Sequence, residues 1–166
     1  MKKAICIHNA TVLTGFSVMK NCAVYIKENK IVDVFSETRF LQKEFNPKVQ
    51  IINAGGAYVA PGFMDTHIHG IGGYGTDDGK AESILKMSEI LPQYGVTSFI
   101  PTIYAGKEDE MIRNIKAILK AMGKEKGAHI LGMHLEGPFI SPKRLGVQSE
   151  NAISPVDMKL MEKLYK

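Results

Sequence analysis

Residues 57–70 read AYVAPGFMDTHIHG. An apolar run from Ala57 to Met64, broken only by Pro61 and Gly62, leads into Asp65-Thr66-His67-Ile68-His69 and then a glycine-rich loop. In a strand, alternate side chains share a face, so Asp65, His67 and His69 point one way and Thr66 and Ile68 the other. Two imidazoles at that spacing can share one divalent metal, and neutral imidazole is the commonest metal ligand in proteins. A buried strand ending in ligands and a glycine loop is how barrel enzymes present catalytic groups at the C-terminal ends of strands.

The rest of the chain bounds this reading. Its 166 residues suffice for one domain with a substantial core, and 45% hydrophobic with 23% charged residues is ordinary for a globular protein. The net charge of +4 comes from scattered lysines without the aromatic interleaving of a nucleic-acid platform. A solvated surface is expected, and no nucleic-acid partner. No apolar stretch approaches the length of a membrane span, so no membrane partner is expected either. Met1-Lys2-Lys3 resembles the basic start of a leader, but His8, Asn9 and Thr11 interrupt the apolar run that follows. Cys6 and Cys22 lie in strand-like segments and could face each other across paired strands. They are expected to be reduced core residues of a cytoplasmic protein.

Residues 1–56 form a small β module, expected to be β-sandwich-like. Ala4–Leu13 is β-prone, and Asn21–Ile26 and Lys30–Phe35 flank a short hairpin turn at Lys27-Glu28-Asn29. The stretch from Phe40 to Pro47 is polar and irregular or a short helix, and Val49–Asn53 returns to strand. His8, alone in this module, is expected to be a structural or surface group and not a ligand. Residues 57–166 change texture. After the loop IGGYGTDDG (71–79), a helix is expected over Ala81–Tyr94, with Ile84, Leu85, Met87, Ser88 and Leu91 inward. A β-branched strand follows over Val96–Ile103. A second helix over Lys107–Met122 would bury Met111, Ile112, Ile115, Ile118 and Leu119. His129–Leu135 reads as a third strand. Ser154 would cap a third helix, with Pro155 in its first turn and Asp157 complementing its dipole. Three strand–helix repeats imply parallel strands with crossover helices. The predicted class is α/β, a partial TIM-type (β/α) barrel of about three β/α units, since a closed barrel takes about 250 residues.

A second constellation closes the third strand: His134-Leu135-Glu136-Gly137-Pro138-Phe139. Glu136 stands where strand gives way to loop, the same level as His67 and His69. A carboxylate oxygen beside two imidazoles makes an N/O site suited to zinc, iron or manganese. His134 shares the face of Glu136, one layer deeper, and is read as a core group or a support for the ligands. His129, at the far end, is read as structural.

These stretches carry a family resemblance. PGFMDTHIHG resembles the metal-binding strand of the amidohydrolase superfamily. GMHLEGPFISPKRLGVQ resembles the more specific signature of the N-acetylglucosamine-6-phosphate deacetylases, and the resemblance runs from Ala4 to the last helix. It implies an enzyme that hydrolyses the acetamide of N-acetylglucosamine 6-phosphate to glucosamine 6-phosphate and acetate, in amino-sugar catabolism. The implied cofactor is a divalent metal, one or two ions of zinc, iron or manganese. Glu136 would be the ligand common to all members, and His67 and His69 the pair kept by those with a second ion. Val147 and Gln148 match the position where the family contacts the amino sugar, often through histidine. Glutamine there can hydrogen-bond but cannot titrate.

The family takes further metal histidines and a general-base aspartate from later strands. After Glu136 this sequence has no histidine, and its single aspartate, Asp157, is a helix-cap candidate. No catalytic base is therefore assigned. The chain is expected to be the first part of the barrel, inactive alone, with an open sheet edge that invites association with a second copy or another chain. The competing readings are a non-catalytic fragment or subunit that binds metal or sugar phosphate, and another amidohydrolase acting on a cyclic amide.

Overall fold

The computed structural model describes residues 4–165; the basic Met1–Lys3 start and Lys166 lie outside the described residues. The chain divides into two compact units at the Pro61/Gly62 junction. The expected boundary after residue 56 lies earlier, because residues 58–59 still pair within the first unit.

The first unit is built on one mixed sheet. Strands β1 (Ile5–Leu13), β2 (Val18–Lys27) and β3 (Lys30–Ser36) form an antiparallel meander. The two-residue turn Glu28-Asn29 has φ of 54° and 62°, the left-handed pair that lets a tight hairpin follow the strand twist. A short helix α1 (Glu37–Leu41) follows, capped by the Ser36 hydroxyl accepting from the Arg39 amide. Strands β4 (Gln50–Asn53) and β5 (Tyr58–Val59) then pair in parallel with successive halves of β1. Five strands thus make a single sheet, in place of the expected sandwich-like pair. Its two faces carry separate small cores, one around Ala10, Val12, Cys22 and Val24, the other around Cys6, Ala23 and Phe35. Cys6 and Cys22 belong to opposite faces and both are free thiols. They do not face each other, because Cys6 pairs with Tyr25 and Cys22 with Ala10.

The second unit alternates strands and helices. Strand β6 (Phe63–Ile68) leads into a small hairpin, β7 (Gly70–Ile71) and β8 (Tyr74–Gly75). Helix α2 (Ala81–Ile90) runs into a 3₁₀ turn over Leu91–Tyr94, closed by Gly95 at φ 77°. Strand β9 (Val96–Tyr104) lies at the centre, with β6 parallel on one side. On the other side lie β10 (His129–Ile130) and β11 (His134–Glu136), also parallel to β9. The third expected strand is thus two short pieces. Helix α3 (Glu108–Ala121) opens with Glu108, Asp109 and Glu110, anions at the positive end of the helix dipole. Helix α4 (Met158–Tyr165) packs on α3 through buried Leu164 and a Lys163–Glu108 ion pair of 2.8 Å. Its cap is Asp157, which accepts from the Lys159 and Leu160 amides; Ser154 lies upstream of the helix.

The core of this unit sits between the sheet and its helices. Phe99 and Ile103 from β9 meet Ile84 and Met87 from α2 and Met111 and Ile118 from α3, with Ile68 and Leu135 packed beside them. Leu119, expected inward, is half exposed, because the buried stripe of α3 runs through Met111, Asn114, Ile115 and Ile118. Strand parity then leaves His67, Thr102, Tyr104, His134 and Glu136 on the other face.

Candidate metal centre

Three strand ends build the site. His67 is the penultimate residue of β6, His69 follows the strand directly, and Glu136 ends β11. Between them, β9 supplies the spacing: His134 is in register with Thr102 and Glu136 with Tyr104.

The side chains converge. One ligand atom from each of His67, His69 and Glu136 lies within 4.8 Å of the other two. His69 Nε2 is 3.1 Å from His67 Nε2 and 3.0 Å from Glu136 Oε2, which is also 3.6 Å from His67 Nε2. The approach of His69 to Glu136 is short but lacks hydrogen-bond geometry, and Oε2 is a buried oxygen without a partner. The two imidazole nitrogens are within hydrogen-bonding distance of each other, while the Glu136 oxygen stays unsatisfied beside them; two imidazole nitrogens with one carboxylate oxygen are a donor set for a borderline divalent ion. Side-chain exposures of 48% for His67, 22% for His69 and 29% for Glu136 leave the group partly open to solvent.

The shell around these groups is tied to the sheet. Asp65 turns its carboxylate to the His67 amide at 3.1 Å and is not among the converging ligands. The Thr102 hydroxyl, wholly buried, accepts from the Ile68 amide at 3.2 Å and lies 3.4 Å from His134 Nδ1. The Thr102 carbonyl accepts from the Thr76 hydroxyl at 2.6 Å, which fastens the loop after β8. The ring of His134 meets His67 edge-on, with centroids 5.0 Å apart. Gly137 turns the chain away after Glu136 at φ 109°, and a Cβ there would lie 2.8 Å from the Ala105 Cβ. Only glycine suits both conditions.

Sequence reasoning missed Tyr104, whose ring stacks on His69 with centroids 3.6 Å apart and planes 7° from parallel. The signal available was parity, since Tyr104 follows Thr102 by two residues at the end of the central strand. Beside it opens a cavity of about 620 Å³ bounded by His69, the glycine hairpin, Asp77, Asp78 and Tyr104. Asp78 sits below the ordinary carboxylate range, held there by a hydrogen bond from Ser83 and another from the Gly75 amide. Val147 and Gln148 do not line this cavity. Val147 is exposed, whereas Gln148 is buried with its amide nitrogen unpartnered. The neighbouring Lys143 and Arg144 are exposed. His8 lies in the first unit, bonded to Glu37, and the exposed His129 pairs with the buried carboxylate of Glu125.

The family model described as the amidohydrolase family matches residues 58–164. The chain belongs to the amidohydrolase family. It is 33% identical over 169 residues to the N-acetylglucosamine-6-phosphate deacetylase of Bacillus subtilis (strain 168), covering 98% of this chain and 41% of that protein. To the Mus musculus deacetylase it is 31% identical over 150 residues, covering 86% and 34% respectively. Among solved structures, the Thermotoga maritima deacetylase matches at 27% identity and a TM-score of 0.76, over 95% of this chain and 39% of that one. The Pasteurella multocida deacetylase shares the fold, with a TM-score of 0.85 at 24% identity over 97% of this chain and 41% of that one. This amidohydrolase chain spans about two fifths of the length of the relatives it matches. No helix among the described residues is long and apolar enough to cross a membrane.

Proposed function

We propose that these 166 residues are part of a metal-dependent N-acetylglucosamine-6-phosphate deacetylase, forming the first three β/α units of its barrel after a β module. The substrate is the acetamide of the amino-sugar phosphate, and the products are glucosamine 6-phosphate and acetate. The observation that carries this reading is the convergence of His67, His69 and Glu136 within 4.8 Å at the ends of the two strands that flank β9. Those three residues hold one or two divalent ions, of zinc, iron or manganese. Such an ion, when bound, supplies Lewis acidity that polarises an amide carbonyl and acidifies water. The protein's part is to fix the donors from a rigid sheet and keep one side open to substrate. Gln148, with its buried and unpartnered amide nitrogen, is a hydrogen-bond donor toward the sugar, and Val147 flanks it.

We assign no general base among the described residues. Asp157, the single aspartate after Glu136, is engaged as the cap of α4. The reading therefore separates binding from turnover: these residues bind metal and do not release acetate by themselves. Calorimetric titration with Zn²⁺ or Mn²⁺ should show binding that Glu136→Gln weakens beyond the roughly 100-fold that loss of a supporting residue costs. An acetate-release assay on the same preparation should stay at background. Equal affinity in the variant refutes the metal assignment; clear acetate release refutes the missing-base argument.

A further inference from the structure

We propose that Tyr104 is the positioning residue for His69, holding its imidazole in the plane that aims Nε2 at the shared ligand point; this rests on the metal reading above. A metal-bound histidine normally donates its second ring nitrogen to a carboxylate, a carbonyl or water, and that bond sets the ring's orientation. Among the described residues no carboxylate or carbonyl accepts from His69. Its Nδ1 is buried without a partner. The ring instead lies flat on Tyr104, at 3.6 Å between centroids and 7° between planes.

The position of Tyr104 is itself determined by the sheet. It ends β9, in register with Glu136 on β11, so the platform under one ligand and the strand end bearing another belong to one tier of the ladder. The stack fixes the plane of the imidazole, and Nε2 lies in that plane, 3.0 Å from Glu136 Oε2. Without the phenol ring, the rotation of His69 about its Cβ–Cγ bond is left to the contacts of Nε2 and to the His67 ring, which meets it edge-on with centroids 5.0 Å apart and offers no parallel face. Stacking needs the aromatic plane and not the hydroxyl, so phenylalanine should replace tyrosine.

The test uses the full chain with Co²⁺ as a spectroscopic probe, comparing wild type, Tyr104→Phe and Tyr104→Ala. Circular dichroism checks that each folds; where Tyr104→Ala does not, Tyr104→Leu supplies bulk without a plane. Tyr104→Phe should keep the wild-type affinity and visible spectrum. Tyr104→Ala should bind about 10- to 100-fold more weakly, with a changed spectrum. Wild-type affinity and spectrum in a folded Tyr104→Ala overturn the inference. If the wild type itself takes up no Co²⁺, the metal reading fails on its own. The metal-free ring signals of His69 by nitrogen-15 NMR then decide the role of Tyr104. A single ordered ring signal that is lost in Tyr104→Ala upholds it, and an unchanged signal overturns it.

Discussion

Glu37 shows how one side chain secures an irregular strand. Its carboxylate is 2.7 Å from His8 Nδ1 and accepts from the Asn9 amide, also at 2.7 Å. Asn9 has φ 52°, where the pairing of β1 with β2 shifts register, so Glu37 satisfies an amide that the ladder leaves out. Burial raises the carboxyl's pKa, but the bonds from His8 and Asn9 outweigh it and hold the group below its ordinary value of 4.5. A lowered folded pKa contributes stability that is present above the ordinary value and lost as pH falls through the lowered one. Glu37→Gln should therefore reduce the melting temperature at neutral pH and flatten its decline below about pH 4.5. Thermal unfolding followed across that range checks it; parallel curves for variant and wild type count against it. The lone His8 is thus a partner in a structural bond, as its isolation in the sequence suggested.

Strand β9 is the element on which the site depends. Phe99 and Ile103 face the helices, while Thr102 and Tyr104 face the candidate ligands, so a single strand serves core and site at once. Pro101 lies in this central strand, where a missing amide would ordinarily break a ladder. The pairing of β6 with β9 is irregular there, between Asp65 and Ile68, and the Ile68 amide goes to the Thr102 hydroxyl instead. Thr102→Val keeps the shape but removes that acceptor. It should cost about 1–3 kcal/mol, the usual penalty for a buried amide left unpaired. Chemical denaturation of the variant measures this, and a loss below a few tenths of a kcal/mol would show that the amide finds another acceptor. The predicted strand over Val96–Ile103 was legible because β-branched residues and flanking glycines mark it locally. The break within His129–Leu135 was not, since Leu131–Met133 are as apolar as their neighbours and only pairing with β9 distinguishes them.

At the scale of the molecule, the second unit has an unpaired sheet edge. Among the described residues no strand pairs with the far side of β10 and β11. A groove of about 560 Å³ beside that edge is lined by Leu119, Met133, Leu135, Met161 and Leu164, with Leu119 and Met161 exposed. An open parallel edge with an apolar flank favours association. The chain is expected to self-associate as concentration rises, which sedimentation equilibrium would detect as a mass above 18.3 kDa. A monomeric mass throughout would show the edge to be protected. The unit boundary is a matter of this scale too: Tyr58-Val59 reads as the start of the apolar run before His67, yet pairs with β1.

By itself the sequence determined what repeats locally. Alternation in β6 put His67 on the face opposite Ile68, the 3.6-residue period marked α2 and α3, and the strand-to-loop transition at Glu136 set a carboxylate at a strand end. These follow from side-chain spacing along one segment. Tertiary structure decided what depends on registry between segments: the Tyr104 stack on His69, the Thr102 bond to β6, and the exposure of Leu119. It also settled the single sheet of the first unit and the separate faces of Cys6 and Cys22. Registry is fixed by hydrogen bonds and packing between residues far apart in the chain, and no pattern within either segment carries it.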